Sequence, residues 1–311
     1  MTARPTDLSR RRVLRPGAVA AVALPLAACS TGNYEEPDPL APLLAAADAD
    51  AAAARKLASG EGGDVAAQIA DARAAHAAAL KPEVDRLNRP KPAASTAPAA
   101  GPADVAGFKD RLAAVRQQAE DLVPGLPAYR AGLAASVAAG CAALQRVSPS
   151  IGGGEDAKPI AAPSGKLPDE AVDPLQKALA AEHAALWVYG LVSAFLSAEF
   201  GNALKSGRAE HTARRDVLIQ AITAASATPV APEAAYVPAK PVTDGPSAAS
   251  VVATAEADCA AAWLGVVTHT DDAGVRGLAL QALVAAARRG TPWRQQAAEK
   301  PVAIALPGQH S

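Results

Sequence analysis

The chain has 311 residues and a net charge of −1, which is room for two ordinary domains and no electrostatic basis for holding nucleic acid. Half of its residues are hydrophobic, but alanine supplies most of them and aromatics make up only 3 %, so the core must form by close approach of small side chains. That favours helix on helix, because alanine has high helix and low strand propensity, and three scattered cysteines exclude a disulfide framework or a cysteine zinc site.

The chain starts with an address. Ser9 to Arg15, which includes Arg10 and Arg11, resembles a twin-arginine export signal. The alanine-rich run from Pro16 to Ala28 is too short to span a membrane. It ends in Leu26-Ala27-Ala28-Cys29, which resembles a bacterial lipobox. The resemblance implies cleavage before Cys29 and a diacylglyceryl lipid on its sulfur. Residues 1–28 are then a signal peptide and residues 29–37 a polar spacer. The expected location is the extracytoplasmic face of a cell membrane, with the membrane as partner through the lipid.

Four helices are expected over residues 38–147. Asp38-Pro39 starts the first, which runs to Ala58, and Asp64 starts a second through Leu80, which Pro82 ends or kinks. Residues 88–102 are a Pro/Ala crossover. The third helix runs from Asp104 to Val123 and the fourth from Pro127 to Val147, with Leu133, Val137, Cys141 and Leu144 in line. Short outer connections and one long middle crossover make the ferritin-like bundle topology.

Residues 148–170 hold a Pro/Gly-rich stretch that reads as an interdomain linker. The second half, residues 171–308, repeats the plan. Asp173-Pro174 opens a long helix, and a second helix covers Ser206 to Ala225. A crossover from Thr228 to Pro246 carries five prolines. A third helix begins near Ser247 with Val252, Glu256, Cys259 and Trp263 aligned, and Asp271 caps a fourth that Gly290-Thr291-Pro292 ends. The sequence therefore predicts an all-α chain of two tandem ferritin-like four-helix bundles, each with a long Pro-rich crossover between its second and third helices. His76 and His211 fall in the two second helices.

The second half also resembles a known family, the ferritin-like domain of unknown function of exported lipoproteins of high-GC Gram-positive bacteria. The residues that carry this are Ala180 to Ala185, Tyr189-Gly190, His211 to Asp216, Ala231 to Tyr236, and Leu306-Pro307-Gly308. The resemblance implies a four-helix bundle and supplies no activity.

Glu182 is the main chemical lead, because it falls on the apolar stripe of the Asp173 helix, where a carboxylate is costly unless it is paired, protonated or bound. Metal-binding ferritin-like bundles use one Glu on each of two helices and Glu-x-x-His on each of the others. Here Glu182 and Glu256 could be the single carboxylates. Glu210 and His211 are adjacent and point about 100° apart, and the helix from Ala273 to Arg289 has neither acid nor histidine. A two-metal centre is therefore not expected. If any metal binds, its ligands would be Glu182, His211 and Glu256. The favoured expectation is a buried polar cluster of Glu182, His183, His211, Arg214, Arg215 and Glu256, paired within itself and holding no cofactor. Cys141 and Cys259 are expected to be core residues, with a disulfide between them as the alternative.

No nucleophile motif, phosphate loop or zinc-hydrolase helix is present. The expected function is a non-enzymatic binding or interaction module with degenerate metal ligands and an envelope protein as candidate partner. The alternatives are a metal-binding oxidoreductase and an apolar-ligand carrier.

Overall fold

The alanine-rich segments fold as eight α-helices, and no strand occurs among the described residues. The computed structural model describes residues 36–90, 101–152, 160–163 and 165–309. The export signal with Arg10 and Arg11, the lipid-bearing Cys29, and the middles of the first crossover and of the 148–170 segment lie outside the described residues.

The helices are α1 (Ala41–Leu57), α2 (Gly63–Arg86), α3 (Phe108–Leu122), α4 (Ala128–Leu144), α5 (Asp169–Leu191), α6 (Gly201–Ala224), α7 (Gly245–His269) and α8 (Ala273–Gln296). Side-chain caps close the starts of α7 and α8. Asp244 and Ser247 form a reciprocal capping box at α7, and the Asp272 carboxylate accepts from the Val275 amide at α8. The expected cap of α8, Asp271, is displaced by one residue and pairs with Arg276 instead.

Three prolines act differently from their sequence reading. Pro82, Pro174 and Pro292 all lie inside helices, so α2 continues to Arg86, α5 begins at Asp169, and α8 runs on to Gln296. Each proline gives up a backbone hydrogen bond. In α8 the added turn buries Trp293 against Tyr189 and Phe200, which offsets that loss.

The two halves share one apolar core. Every residue of α4 from Arg130 to Leu144 is buried, the signature of a helix enclosed on all sides. It packs against α2 and α3 of its own half and against α7 and α8 of the other. Arg276 of α8 adds a polar tie: its guanidinium donates to the carbonyls of Leu126 at 2.7 Å and of Val123 and Pro124 at 3.3 Å. Cys141 and Cys259 are buried free thiols, and α4 and α7 bring them into this continuous core rather than into two separate ones.

The segment after α8 is irregular but docked. The Ala305 carbonyl accepts from His76 Nε2 at 2.6 Å, and the Pro307 carbonyl from Ser136 Oγ at 2.8 Å. Gly140 makes room for this approach, since a Cβ there would lie 1.9 Å from the Ala305 oxygen and 2.5 Å from His76 Nε2. The crossover between α6 and α7 is also pinned. Gln176 bonds both Thr228 and Val230, and His183 Nε2 donates to the Val230 carbonyl at 3.2 Å.

Candidate functional site

Three helices of the second half bring acids and a histidine together. Glu182 comes from α5, His211 from α6 and Glu256 from α7, and all three side chains are buried. The imidazole lies between the carboxylates. Its Nδ1 is 2.6 Å from Glu182 Oε2 and its Nε2 is 3.1 Å from Glu256 Oε1. Close approach of α5 to α6 at this level depends on Gly207, because a Cβ there would sit 2.3 Å from the Tyr189 ring.

Both carboxylates are closed off by further donors. Trp263 Nε1 donates to Glu182 Oε1 at 2.6 Å, and the Tyr189 hydroxyl to Glu256 Oε1 at 2.6 Å. Arg214 stands 3.9 Å from Glu182. Arg289, from α8, bonds both oxygens of Glu256 at 3.3 Å and also pairs with Glu210. Arg214 reaches Glu210 at 3.2 Å. The cluster thus sets Glu182, Glu210 and Glu256 against His211, Arg214 and Arg289, and the charges cancel. Such balance is what makes a buried ionic group tolerable.

The electrostatics follow. Burial opposes protonation of His211, but Glu256 and Glu182 outweigh it and raise its pKa above 6.5. Burial likewise opposes ionisation of the carboxylates. Arg289 and His211 override it at Glu256 and pull the carboxyl down to about 2, and His211 and Arg214 lower Glu182. With both neighbours ionised, each ring nitrogen donates, so His211 is an imidazolium.

The first half builds a related cluster with the opposite result. Asp50 of α1 pairs with Arg73 of α2 at 3.2 Å and with Arg111 of α3 at 2.6 Å. Arg73 NH1 donates to His76 Nδ1 at 2.8 Å and to Cys141 Sγ at 3.5 Å. A guanidinium has no acceptor, so His76 Nδ1 must accept and Nε2 must carry the proton. Burial, then Arg73, lowers this histidine to about 3, with the Ala305 carbonyl opposing in part.

Two expected members stand outside the second-half cluster. Arg215 pairs with Asp216 at the surface at 2.7 Å, because it follows Arg214 and turns away on the helix. His183 is buried on the crossover side of α5 and bonds Val230, not the carboxylates. Tyr189 and Trp263 were legible only as members of apolar stripes, and their polar ends carry no periodic signal. Glu210 of α6 and Arg289 of α8 complete the network.

A two-metal ligand set does not fit here, because α8 supplies a guanidinium bonded to Glu256 where an acid and a histidine would be needed. The ligand atoms of Glu182, His211 and Cys259 do lie within 4.8 Å of one another. Burial first, then the neighbouring carboxylates, pushes the Cys259 thiol well above its usual range, so with no metal bound this donor is a neutral thiol.

Two clefts border these elements. One, of about 300 Å³, lies between the end of α4, α6 and α8, and includes Glu210 and Arg289 in its wall. The other, of about 420 Å³, lies between α5, α7 and the crossover, under Trp187 and Tyr236, whose rings are 6.0 Å apart.

The family comparison falls on this half. The family described as a domain of unknown function, DUF4439, matches residues 174–311. A crystal structure of a conserved hypothetical protein from Mycobacterium tuberculosis is 32% identical, with 44% of this chain and 97% of that one covered and a TM-score of 0.40. No curated protein matches the sequence. The half that carries Glu182, His211 and Glu256 is thus the part of the chain that matches the DUF4439 family.

Proposed function

We propose that this chain is a non-enzymatic binding module built from two ferritin-like bundles in tandem and held at the extracytoplasmic face of a cell membrane by a lipid on Cys29. The order of twin arginines, apolar run and lipobox supports the location. One observation carries the non-catalytic reading: every oxygen of Glu182 and Glu256 already has a donor from Trp263, Tyr189, His211 or Arg289. With a donor on each oxygen, neither carboxylate is held as a bare base for a substrate or a water nucleophile. The clefts of about 300 and 420 Å³ beside it are of a size suited to small ligands.

A metal-binding reading is favoured by one specific observation, the convergence of Glu182, His211 and Cys259. Metal analysis of protein purified from its own membrane fraction separates the two. The binding-module reading expects zinc, iron, manganese and copper each far below one equivalent, and a Tm unmoved by chelator. One equivalent of a single metal, a Tm that falls on chelation, and loss of both in Cys259→Ser would establish the metal reading instead.

A further inference from the structure

The cleft between α5, α7 and the crossover is a groove with an apolar floor. Ala181, Ala184 and Ala185 line it from α5, and Val251 and Ala255 from α7. These positions are three and four apart, so each set lies on one face of its helix. Small side chains on both walls leave a space of about 420 Å³ between the helices. From Ala181 to Val188 on one wall and from Ser250 to Asp258 on the other, the groove runs about 10–12 Å along the helix axes. The crossover covers it. One end of the crossover is tied to α5 through Gln176 and His183, and the other to α7 through the capping box at Asp244. Between those ties Tyr236 packs on Trp187, and Val237 lines the groove while 92 % exposed, which gives the mouth an apolar lip.

We infer that this groove binds an unbranched alkyl chain with an uncharged end, the chain lying along the alanine floor and against Trp187 and Tyr236. This deepens the binding-module reading and rests on it. The charged groups of the wall select neither sign. Glu299 is matched by Arg294 at 2.8 Å and accepts from Ser250 Oγ at 2.5 Å. Asp258 and Lys240 remain, both exposed and opposite in sign, so a charged ligand meets one favourable and one like charge. An uncharged chain needs neither, and the methyl and ring surfaces supply the rest of the contact. A groove longer than it is wide, floored by methyl groups, suits a chain of medium length, and its volume lies within the range of ligand sites.

The test is titration of the full chain carrying Cys29→Ser, so that no attached lipid competes, with 1-decanol, followed by calorimetry and tryptophan fluorescence. 1-Octanol, decanoate and decyltrimethylammonium are parallel probes. The expected result is saturable binding of 1-decanol with a fluorescence change that is lost in Trp187→Phe. Affinity should fall about fourfold for each methylene removed on going to 1-octanol, and neither charged analogue should bind tighter than 1-decanol. Ala184→Phe and Thr254→Phe each place a ring in the groove, from opposite walls, and should weaken binding about tenfold or more by displacing several methylenes. Ser206→Phe, in the cleft between α4, α6 and α8, should leave it unchanged. Thr254 and Ser206 are exposed, and an unchanged Tm would confirm that their variants fold. Tighter binding of a charged analogue, affinity independent of chain length, or binding blocked by Ser206→Phe and not by the groove variants would overturn the assignment. So would the absence of saturable binding by any probe. None of these outcomes touches the metal content, which decides the binding-module reading separately.

Discussion

Replacing His211 with alanine is expected to cost about 3–5 kcal/mol, because it removes the cation between two buried carboxylates and leaves their charge uncompensated. Glu182 would keep Trp263 and a distant Arg214, while Glu256 would keep Tyr189 and Arg289. The two acids would face each other across the space the imidazole filled. For a unit of this size the loss corresponds to a fall in Tm of roughly 10 °C. The effect should not be additive. In a Glu182→Gln background one of the two charges is already gone, so His211→Ala should cost less there by about 0.5–3 kcal/mol. Denaturant unfolding of the two single variants and the double variant measures this. Strictly additive losses would mean that the histidine fills space without pairing.

Stability should fall on both sides of a maximum near pH 6.5, driven by different histidines. His76 is lowered to about 3 in the fold by burial and by Arg73, against an ordinary value of 6.5. Below pH 6.5 the unfolded chain takes up a proton that the fold refuses, so the His76 contribution is present above that value and is lost as pH falls. Each pH unit costs about 1.4 kcal/mol, or roughly 2–3 kcal/mol by pH 4.5. From there Glu256 adds to the loss, because its carboxyl lies at about 2 in the fold and 4.5 outside it. His211 works in the other direction. Its raised value means that its contribution is complete below pH 6.5 and is lost as pH rises through the folded value. Equilibrium unfolding across pH checks both limbs. His76→Gln, which can still accept from Arg73 and donate to Ala305, should flatten the acid limb above pH 4.5 and leave the alkaline limb in place. A wild-type profile that is flat between pH 6.5 and pH 4.5 would contradict the assignment of His76.

The helices were legible because alanine-rich segments with leucine and valine at helical spacing leave few alternatives. Their ends were less so. Pro82, Pro174 and Pro292 were read as boundaries, and packing carried the helices through them, most visibly where Trp293 follows Pro292 into the core. The burial of α4 on every side was not foreseen, since its Ala and Gly positions show no polar face to mark what it packs against. At the site, Glu182 stood out as an acid on an apolar stripe, and His211, Arg214 and Glu256 were found as candidate partners. Arg289 was missed because its role depends on α8 lying against α7, a tertiary relation that local spacing does not encode. In the first half His76 stood out only by its place in the second helix, and Asp50, Arg73 and Arg111 join it only through the packing of α1, α2 and α3.

Side-chain nitrogen NMR of His211 and His76 at neutral pH tests the central claim most directly. The arrangement around Glu182 and Glu256 predicts a proton on both ring nitrogens of His211, and on Nε2 alone for His76. A neutral His211 with one bare ring nitrogen would contradict it, because one of the two carboxylates would then have to carry the proton and the balance of charges around it would be lost.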